Sequence, residues 1–474
     1  MMELAQALRW LPGATLHGDP RKLISRVHSD TRSLRAGDLF VAIQGENFDA
    51  NHFLALAGTA GAAAALTSNA DALQQAALPG IVVADTRRAL GDLASGWRAQ
   101  FTLPLIAVTG SNGKTTVTQM LAAILRSWHG DASLATQGNF NNDIGLPLTL
   151  LRLRQNHCAG VVELGMNHPG EIARLAAIAQ PTVALINNAQ REHLEFMATV
   201  EAVARENGAV IDALPIDGVA VFPQDDAFAA MWRGMAGPRR CMVFSATPAA
   251  DPSPLTDVAC TAVAWHDGAW QVQARTPAGS LQFVLRMAGI HNLHNALAAA
   301  TCALATGAPL TAIVDGLQVF EPVKGRSRSV ALDLAGKACT LIDDSYNANP
   351  DSVDAALSML ASLPAPRLMV LGDMGEVGDQ GPLFHAQVGT RAHALGIDAL
   401  FTLGELSAHA TRTFAGARHF ATMDELIAAA RQHAGDYASI LVKGSRFMQM
   451  EKLVDALTHQ APTQAKTTGD ATCC

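Results

Sequence analysis

At 474 residues the chain is too long for one hydrophobic core, and dividing by ~150 residues per domain predicts about three. Hydrophobic residues make up 49% of it and charged residues 16%, yet no uninterrupted apolar run approaches the ~18 residues of a membrane span, so a soluble protein without membrane insertion is expected. A net charge of −8 with no basic block argues against nucleic acid as a partner, and any anionic ligand has to be met by local positive sites. The seven cysteines show no C-x-x-C pair, which excludes a zinc ribbon and a disulfide framework. The first ten residues carry an early acid, Glu3, without a basic leader or a long apolar core. They do not read as a signal peptide, and a cytoplasmic location is expected.

Residues 1–103 alternate short strands with Ala-rich helices and predict a small α/β domain. Its polar patch Ser29-Asp30-Thr31-Arg32 has the hydroxyls and forked guanidinium that hold a phosphate, and equally the composition of an Asx-type turn. Phe40, a few residues on, is a candidate platform for a flat ring. The stretch from Ala60 to Leu66 reads as helix and core.

Residues 104–321 open on Leu105-Ile106-Ala107-Val108-Thr109-Gly110-Ser111-Asn112-Gly113-Lys114-Thr115-Thr116, a buried strand that turns through glycines into a helix. Val117, Met120, Leu121, Ile124, Leu125 and Trp128 recur at helical spacing behind it. Free N–H groups and the positive helix end suit a polyphosphate, Lys114 adds a mobile charge, and the Thr115 hydroxyl suits Mg²⁺. The spacing departs from G-x-x-x-x-G-K-[ST], whose first glycine falls at Val108, so a subclass of nucleotide site is implied. Further apolar runs at 159–163, 183–186 and 219–222 predict a parallel sheet, with Glu163 and Asn187 at strand ends where ligands collect. Glu163 closes an apolar strand, which suits a Mg²⁺ ligand or a buried ion pair. His193 follows the next strand end and is placed for metal or phosphate. Residues 239–278 predict an antiparallel excursion. Asn292 and Asn295, one helical turn apart, suit an adenine edge, with helix capping by Asn292 as the other reading.

Residues 322–460 predict a doubly wound α/β domain whose polar strand ends include Asp343 to Pro350 and Lys443-Gly444-Ser445-Arg446. Residues 461–474, rich in Thr, Ala and Gln, read as an untethered, disordered tail.

This order of phosphate cradle, strand-end Glu, His, Asn-pair helix and Asp-Asp-Ser-Tyr-Asn-Ala-Asn-Pro run resembles the ATP-dependent Mur ligases of peptidoglycan synthesis. Gly138-Asn139-Phe140-Asn141-Asn142, Glu163-Leu164-Gly165-Met166-Asn167 and Lys443-Gly444-Ser445-Arg446 resemble the member that joins D-alanyl-D-alanine to UDP-N-acetylmuramoyl-tripeptide. The resemblance implies a three-domain α/β architecture that binds UDP-sugar, ATP and amine in turn: a small N-terminal domain, a central P-loop-type parallel-sheet domain and a doubly wound C-terminal domain. A monomer is expected. By resemblance, Ser29, Asp30, Thr31 and Arg32 hold the UDP end, and Gly110, Ser111, Asn112, Gly113, Lys114, Thr115 and Thr116 cradle ATP. Thr115, Glu163 and His193 stand near Mg²⁺, with Lys114, Glu163 and His193 as the catalytic set. Asn292 and Asn295 meet adenine, while Arg326 and Asp344 contact the nucleotide. Phe48-Asp49-Ala50-Asn51-His52 departs from the family's usual Asp-Gly-His. Asn207 stands where related ligases usually carry a carbamylated lysine, and it reads either as an uncharged Mg²⁺ ligand or as a helix-end cap before Gly208. A nucleotide switch lacks support, because Asn187-Asn188-Ala189-Gln190 replaces the guanine-reading Asn-Lys-x-Asp. A sister ligase adding the third peptide residue lacks its Asp-Asn-Pro-Arg signature. A folylpolyglutamate-type synthetase is the remaining alternative.

Overall fold

The computed structural model describes residues 1–45, 48–266, 269–334 and 336–459, so the predicted tail, with Cys473 and Cys474, lies outside the described residues. The chain divides into two compact units, 1–321 and 322–474.

The first unit contains two large sheets. A five-stranded sheet has the order Thr15–His17, Gly80–Val82, Ala64–Thr67, Asp38–Val41, Arg26–His28, and all its pairs are parallel except the first. Two sequence expectations change here. Ala64–Thr67 is a strand with all four residues buried, so the helix expected across Ala60 to Leu66 is absent. Intrinsic alanine propensity is a weak prior that yields when a segment is enclosed by two parallel neighbours. Phe40 is 1% exposed and packs with Leu54, Leu73 and Leu78, so its ring is core and offers no surface for a base.

The second sheet has nine strands in the order Gly279–Leu285, Ala269–Thr276, Val258–His266, Arg240–Ser245, Val219–Pro223, Val183–Ile186, Leu105–Thr109, Ala159–Glu163, Ser133–Ala135. Pairing is parallel from Val258–His266 through Ser133–Ala135, and antiparallel across the three-stranded excursion at the other edge. The alternation of side chains along a strand sorts the residues of Leu105–Thr109 between two cores. Leu105 and Ala107 join a cluster with Leu90, Leu93, Trp97 and Ile172, whereas Ile106 and Val108 join one with Val117, Leu121, Leu293 and Leu297. The first cluster also contains Leu39, Val41 and Leu66 of the five-stranded sheet, so both sheets of this unit share a core. The Lys114–His129 and Ile290–Ala305 helices cover the other face, and they carry the phosphate turn and the asparagine pair.

The second unit is built on a six-stranded sheet in the order Arg328–Leu334, Lys337–Asp344, Ser439–Lys443, Arg367–Gly372, Ala399–Leu403, Arg418–Phe420. Only the first pair is antiparallel, and helices such as Pro350–Ala361 and Gly381–Ala394 connect the parallel strands. Among the described residues, no helix is long and apolar enough to cross a membrane.

Candidate nucleotide site

The phosphate turn follows the strand Leu105–Thr109, with Gly113 left-handed at φ 82° as N-cap of the Lys114–His129 helix. Glycine is required there twice over. A side chain disfavours that φ, and a Cβ would lie 2.3 Å from Asn295 Oδ1 and 2.6 Å from Asn187 Nδ2. The first three N–H groups of the glycine-bounded run are already bonded to protein. Gly110 donates to Asn207 Oδ1 (2.9 Å), Ser111 to Asn188 O (3.1 Å) and Asn112 to Asn188 Oδ1 (2.8 Å). Bonds of the helix repeat begin with Val117 donating to Gly113 O, which leaves the N–H groups of Lys114, Thr115 and Thr116 as the orphan donors of a helix start. Gly110 to Asn112 therefore shape the turn, and the donors suited to a phosphate lie at the helix start.

Lys114 Nζ donates to Gly110 O (2.5 Å) and Ser111 O (3.1 Å) and pairs with Glu192 Oε1 at 3.0 Å. At 14% and 10% side-chain exposure the pair is desolvated, so its attraction is little screened. Glu192 also meets His193 Nε2 at 3.5 Å. His193 itself is left-handed at φ 50° and precedes the short helix Leu194–Met197.

Glu163, at its strand end, is 2% exposed. Its Oε1 accepts from Thr115 Oγ1 (3.2 Å) and Asn141 Nδ2 (2.8 Å), while its Oε2 is buried with no hydrogen-bond partner among the described residues. A buried carboxylate oxygen without a donor is costly unless a cation meets it, so Glu163 and Thr115 fit Mg²⁺. Among the described residues, no three His, Cys, Asp or Glu side chains form a metal cage.

Asn292 and Asn295 are buried near the start of the Ile290–Ala305 helix. The capping alternative for Asn292 does not hold, because the N-cap is Gly289 and the Asn292 amide donates back to Ala288 O at 2.7 Å. Neither reading of Asn207 describes its observed contact. The Val200–Gly208 helix runs past it into the turn Ala209–Ala213, so it caps no helix end, and its Oδ1 is the acceptor for Gly110.

The patch Ser29 to Arg32 lies in the five-stranded-sheet region. Asp30 caps the turn Thr31–Ser33 by accepting from Arg32 N–H, the Asx-type arrangement, and pairs with the Arg32 guanidinium at 2.7 Å. Hydrogen bonds from Arg32 hold the Asp30 carboxyl down to about 2. In the second unit, Asp344 accepts from Ser327 N–H (3.0 Å) and pairs with the buried Lys443 at 2.6 Å. Arg326 lies over the Tyr346 ring, 4.1 Å from its centroid.

Three family models match the chain: "Mur ligase family, catalytic domain" over residues 23–98, "Mur ligase middle domain" over 108–303, and "Mur ligase, glutamate ligase domain" over 326–446. The chain belongs to the Mur ligase family. It is 41% identical over 437 residues to the UDP-N-acetylmuramoyl-tripeptide–D-alanyl-D-alanine ligase of Escherichia coli strain K12, covering 92% of this chain and 94% of that one. The enzyme of the same name from Bacillus subtilis strain 168 is 32% identical, with 90% and 92% covered. Among solved structures, MurF from Acinetobacter baumannii is similar at 36% identity and a TM-score of 0.87, covering 96% of this chain and 98% of that one. The mixed α/β fold with parallel-sheet domains is that of the three-domain Mur ligases.

In this Mur ligase, sequence reasoning overlooked Glu192, Asn188 and Gln190 as contacts of the phosphate turn. Gln190 accepts from Asn112 Nδ2 at 2.6 Å. A signal was present, because these residues follow the strand Val183–Ile186, which pairs directly with the phosphate strand. Only the register between the two strands shows that their ends meet.

Proposed function

We propose that this Mur ligase is the enzyme that joins D-alanyl-D-alanine to UDP-N-acetylmuramoyl-tripeptide at the expense of ATP, releasing ADP and phosphate. The observation that carries this reading is the end-to-end similarity to ligases of that name, which includes the region that would receive the amine. A peptide carboxylate is a poor electrophile. Transfer of the γ-phosphoryl group of ATP makes it an acyl phosphate, the amine then attacks the carbonyl, and the tetrahedral adduct collapses to an amide with loss of phosphate. No protein nucleophile is needed.

The chain's contribution is positioning and electrostatics. Orphan N–H groups at the start of the Lys114–His129 helix would hold the phosphates, and Lys114 would exchange its Glu192 partner for them. Glu163 and Thr115 would hold Mg²⁺, with His193 close by through Glu192. Mg²⁺, when bound, supplies Lewis-acid neutralisation of phosphate charge. Asn292 and Asn295 would meet adenine, Arg326 would offer its guanidinium to an anion, and Ser29, Asp30, Thr31 and Arg32 would serve the UDP end. Asp344, engaged by Lys443 and Ser327, would act through the loop that carries Arg326. The product would serve cell-wall synthesis, and with it cell shape and division. The reading places a monomeric enzyme in the cytoplasm, with the UDP-sugar domain at 1–103, the ATP domain at 104–321 and the amine domain at 322–460.

Phosphate release with ATP, UDP-muramoyl-tripeptide and a panel of amines tests the proposal. Release with D-alanyl-D-alanine is expected. Release only with a single amino acid, on a substrate one residue shorter, would move the chain to a sister ligase.

A further inference from the structure

We infer that Asn187 is a positioning residue that sets which way the asparagine pair Asn292 and Asn295 faces the base, and so sets the preference for adenine. The inference rests on the proposed role of that pair. Three side-chain amides form a chain whose polarity is dictated at both ends by backbone carbonyls, which can only accept. At one end Asn187 Nδ2 donates to Asn112 O (2.8 Å) and, with its second hydrogen, to Asn295 Oδ1 (2.9 Å). Asn295 must therefore present its oxygen to Asn187 and its nitrogen elsewhere, and Asn295 Nδ2 donates to Asn292 Oδ1 at 3.1 Å. At the other end Asn292 Nδ2 donates to Ala288 O (2.7 Å), which independently requires the same orientation. Flipping any one amide would set donor against donor or acceptor against acceptor along the chain.

Counting the valences of the pair gives the consequence. Asn292 Nδ2 donates one hydrogen to Ala288 O, and His291 Nε2, 3.1 Å from the same nitrogen, accepts the other in the Nδ1-protonated tautomer. Asn295 retains one N–H, and Asn292 Oδ1 retains one lone pair. A donor beside an acceptor is the complement of the adenine edge, whose N7 accepts and whose exocyclic amine donates. Hypoxanthine and guanine carry an oxygen in place of that amine and would set two acceptors together.

Asn187 is fully buried at the end of the strand Val183–Ile186, and its Oδ1 has no hydrogen-bond partner among the described residues. The side chain is thus held by what its nitrogen does. Because the same nitrogen binds the carbonyl of Asn112, one residue ties the base-reading pair to the phosphate turn, and the nearest Cβ position of Gly113 is closed by the same amide and by Asn295.

The test is the ratio of kcat/KM for ATP to that for ITP, whose base differs at the exocyclic group and keeps N7. The wild-type ligase should prefer ATP by about tenfold or more. Asn187→Asp, which removes both donated bonds without changing shape, should bring the ratio close to one. Asn295→Ala should do the same, and the double variant should fall no further. Added charge or a loosened phosphate turn would slow both nucleotides alike and leave the ratio unmoved, which would overturn the inference. So would a folded Asn187 variant that keeps the wild-type ratio, or a wild type indifferent to the base. If Asn187→Asp does not fold, Asn187→Ser reads the same ratio. Absence of any ATP-dependent ligation by the wild type would instead refute the proposed function.

Discussion

Lys114 touches two carbonyls and one carboxylate at the phosphate turn and contributes nothing to a hydrophobic cluster. Lys114→Ala should therefore lower ligation by at least ~100-fold, the effect of losing one strong electrostatic stabiliser, with the melting temperature little changed. Wild-type turnover by a folded variant would remove Lys114 from the mechanism. Asn207 makes a different prediction. Its amide cannot form a carbamate, and the chain has no lysine between Lys114 and Lys324, so turnover should be indifferent to bicarbonate. Because its oxygen anchors Gly110, Asn207→Ala should raise the KM for ATP several-fold, about the worth of one buried hydrogen bond, while the Mg²⁺ dependence at saturating ATP stays as it was. Activation of the wild type by bicarbonate, or a shift in Mg²⁺ dependence alone, would contradict that account.

The start of the Lys114–His129 helix is an element whose geometry leaves no spare volume. Gly113→Ala adds a Cβ at φ 82° and drives it into Asn295 and Asn187, so it should abolish ADP binding in calorimetry even where circular dichroism shows the helices retained. Undiminished ADP binding would mean that the turn can open. The Gly381–Ala394 helix carries a second device of this kind, His385. Its Nδ1 faces Gly381 O at 2.7 Å and its Nε2 accepts from Met374 N–H at 2.9 Å, which requires a neutral ring. Burial lowers its pKa below the ordinary histidine range, and the Gly381 carbonyl and Asp373 oppose that only weakly. His294, whose Nε2 lies 2.8 Å from Asn187 O, is likewise lowered by burial. A base whose folded pKa is depressed leaves the unfolded chain binding more protons. Stability from these rings is therefore full above about pH 6.5 and is lost as pH falls toward the folded values. Melting temperature should decline between pH 7.5 and 5, and His385→Phe should flatten part of that decline while costing about 1–3 kcal/mol at neutral pH, because Met374 N–H then loses its acceptor. A parallel pH profile in the variant would exclude His385 as a contributor.

At the scale of the whole molecule, the assignment of substrates to domains is what can be separated by kinetics. Arg32 is 88% exposed at its side chain, bonded to Asp30 alone among the described residues, and borne by the five-stranded-sheet region, while the phosphate turn belongs to the nine-stranded sheet. Arg32→Ala should raise the KM for the UDP-substrate and spare that for ATP. The reverse pattern would transfer the patch to the nucleotide.

What the sequence by itself determined is what contiguous residues decide. The run from Leu105 to Thr116 makes its own strand, turn and helix start, and glycines, an orphan-donor helix end and a lysine are enough to state the ligand class. Strand ends at Glu163 and Asn187 were legible for the same reason, since apolar runs in a parallel sheet mark where polar residues emerge. Tertiary structure decided the partners. Glu192 reaches Lys114 across 78 residues, Asn207 reaches Gly110 across 97, and Asn187 reaches Asn295 across 108. Those distances close only because the strand Val183–Ile186 lies beside Leu105–Thr109, and sheet order leaves no trace in the local pattern. Phe40 and the Ala64–Thr67 strand were misread for that reason too, since burial on both faces of a sheet depends on which segments arrive to cover it.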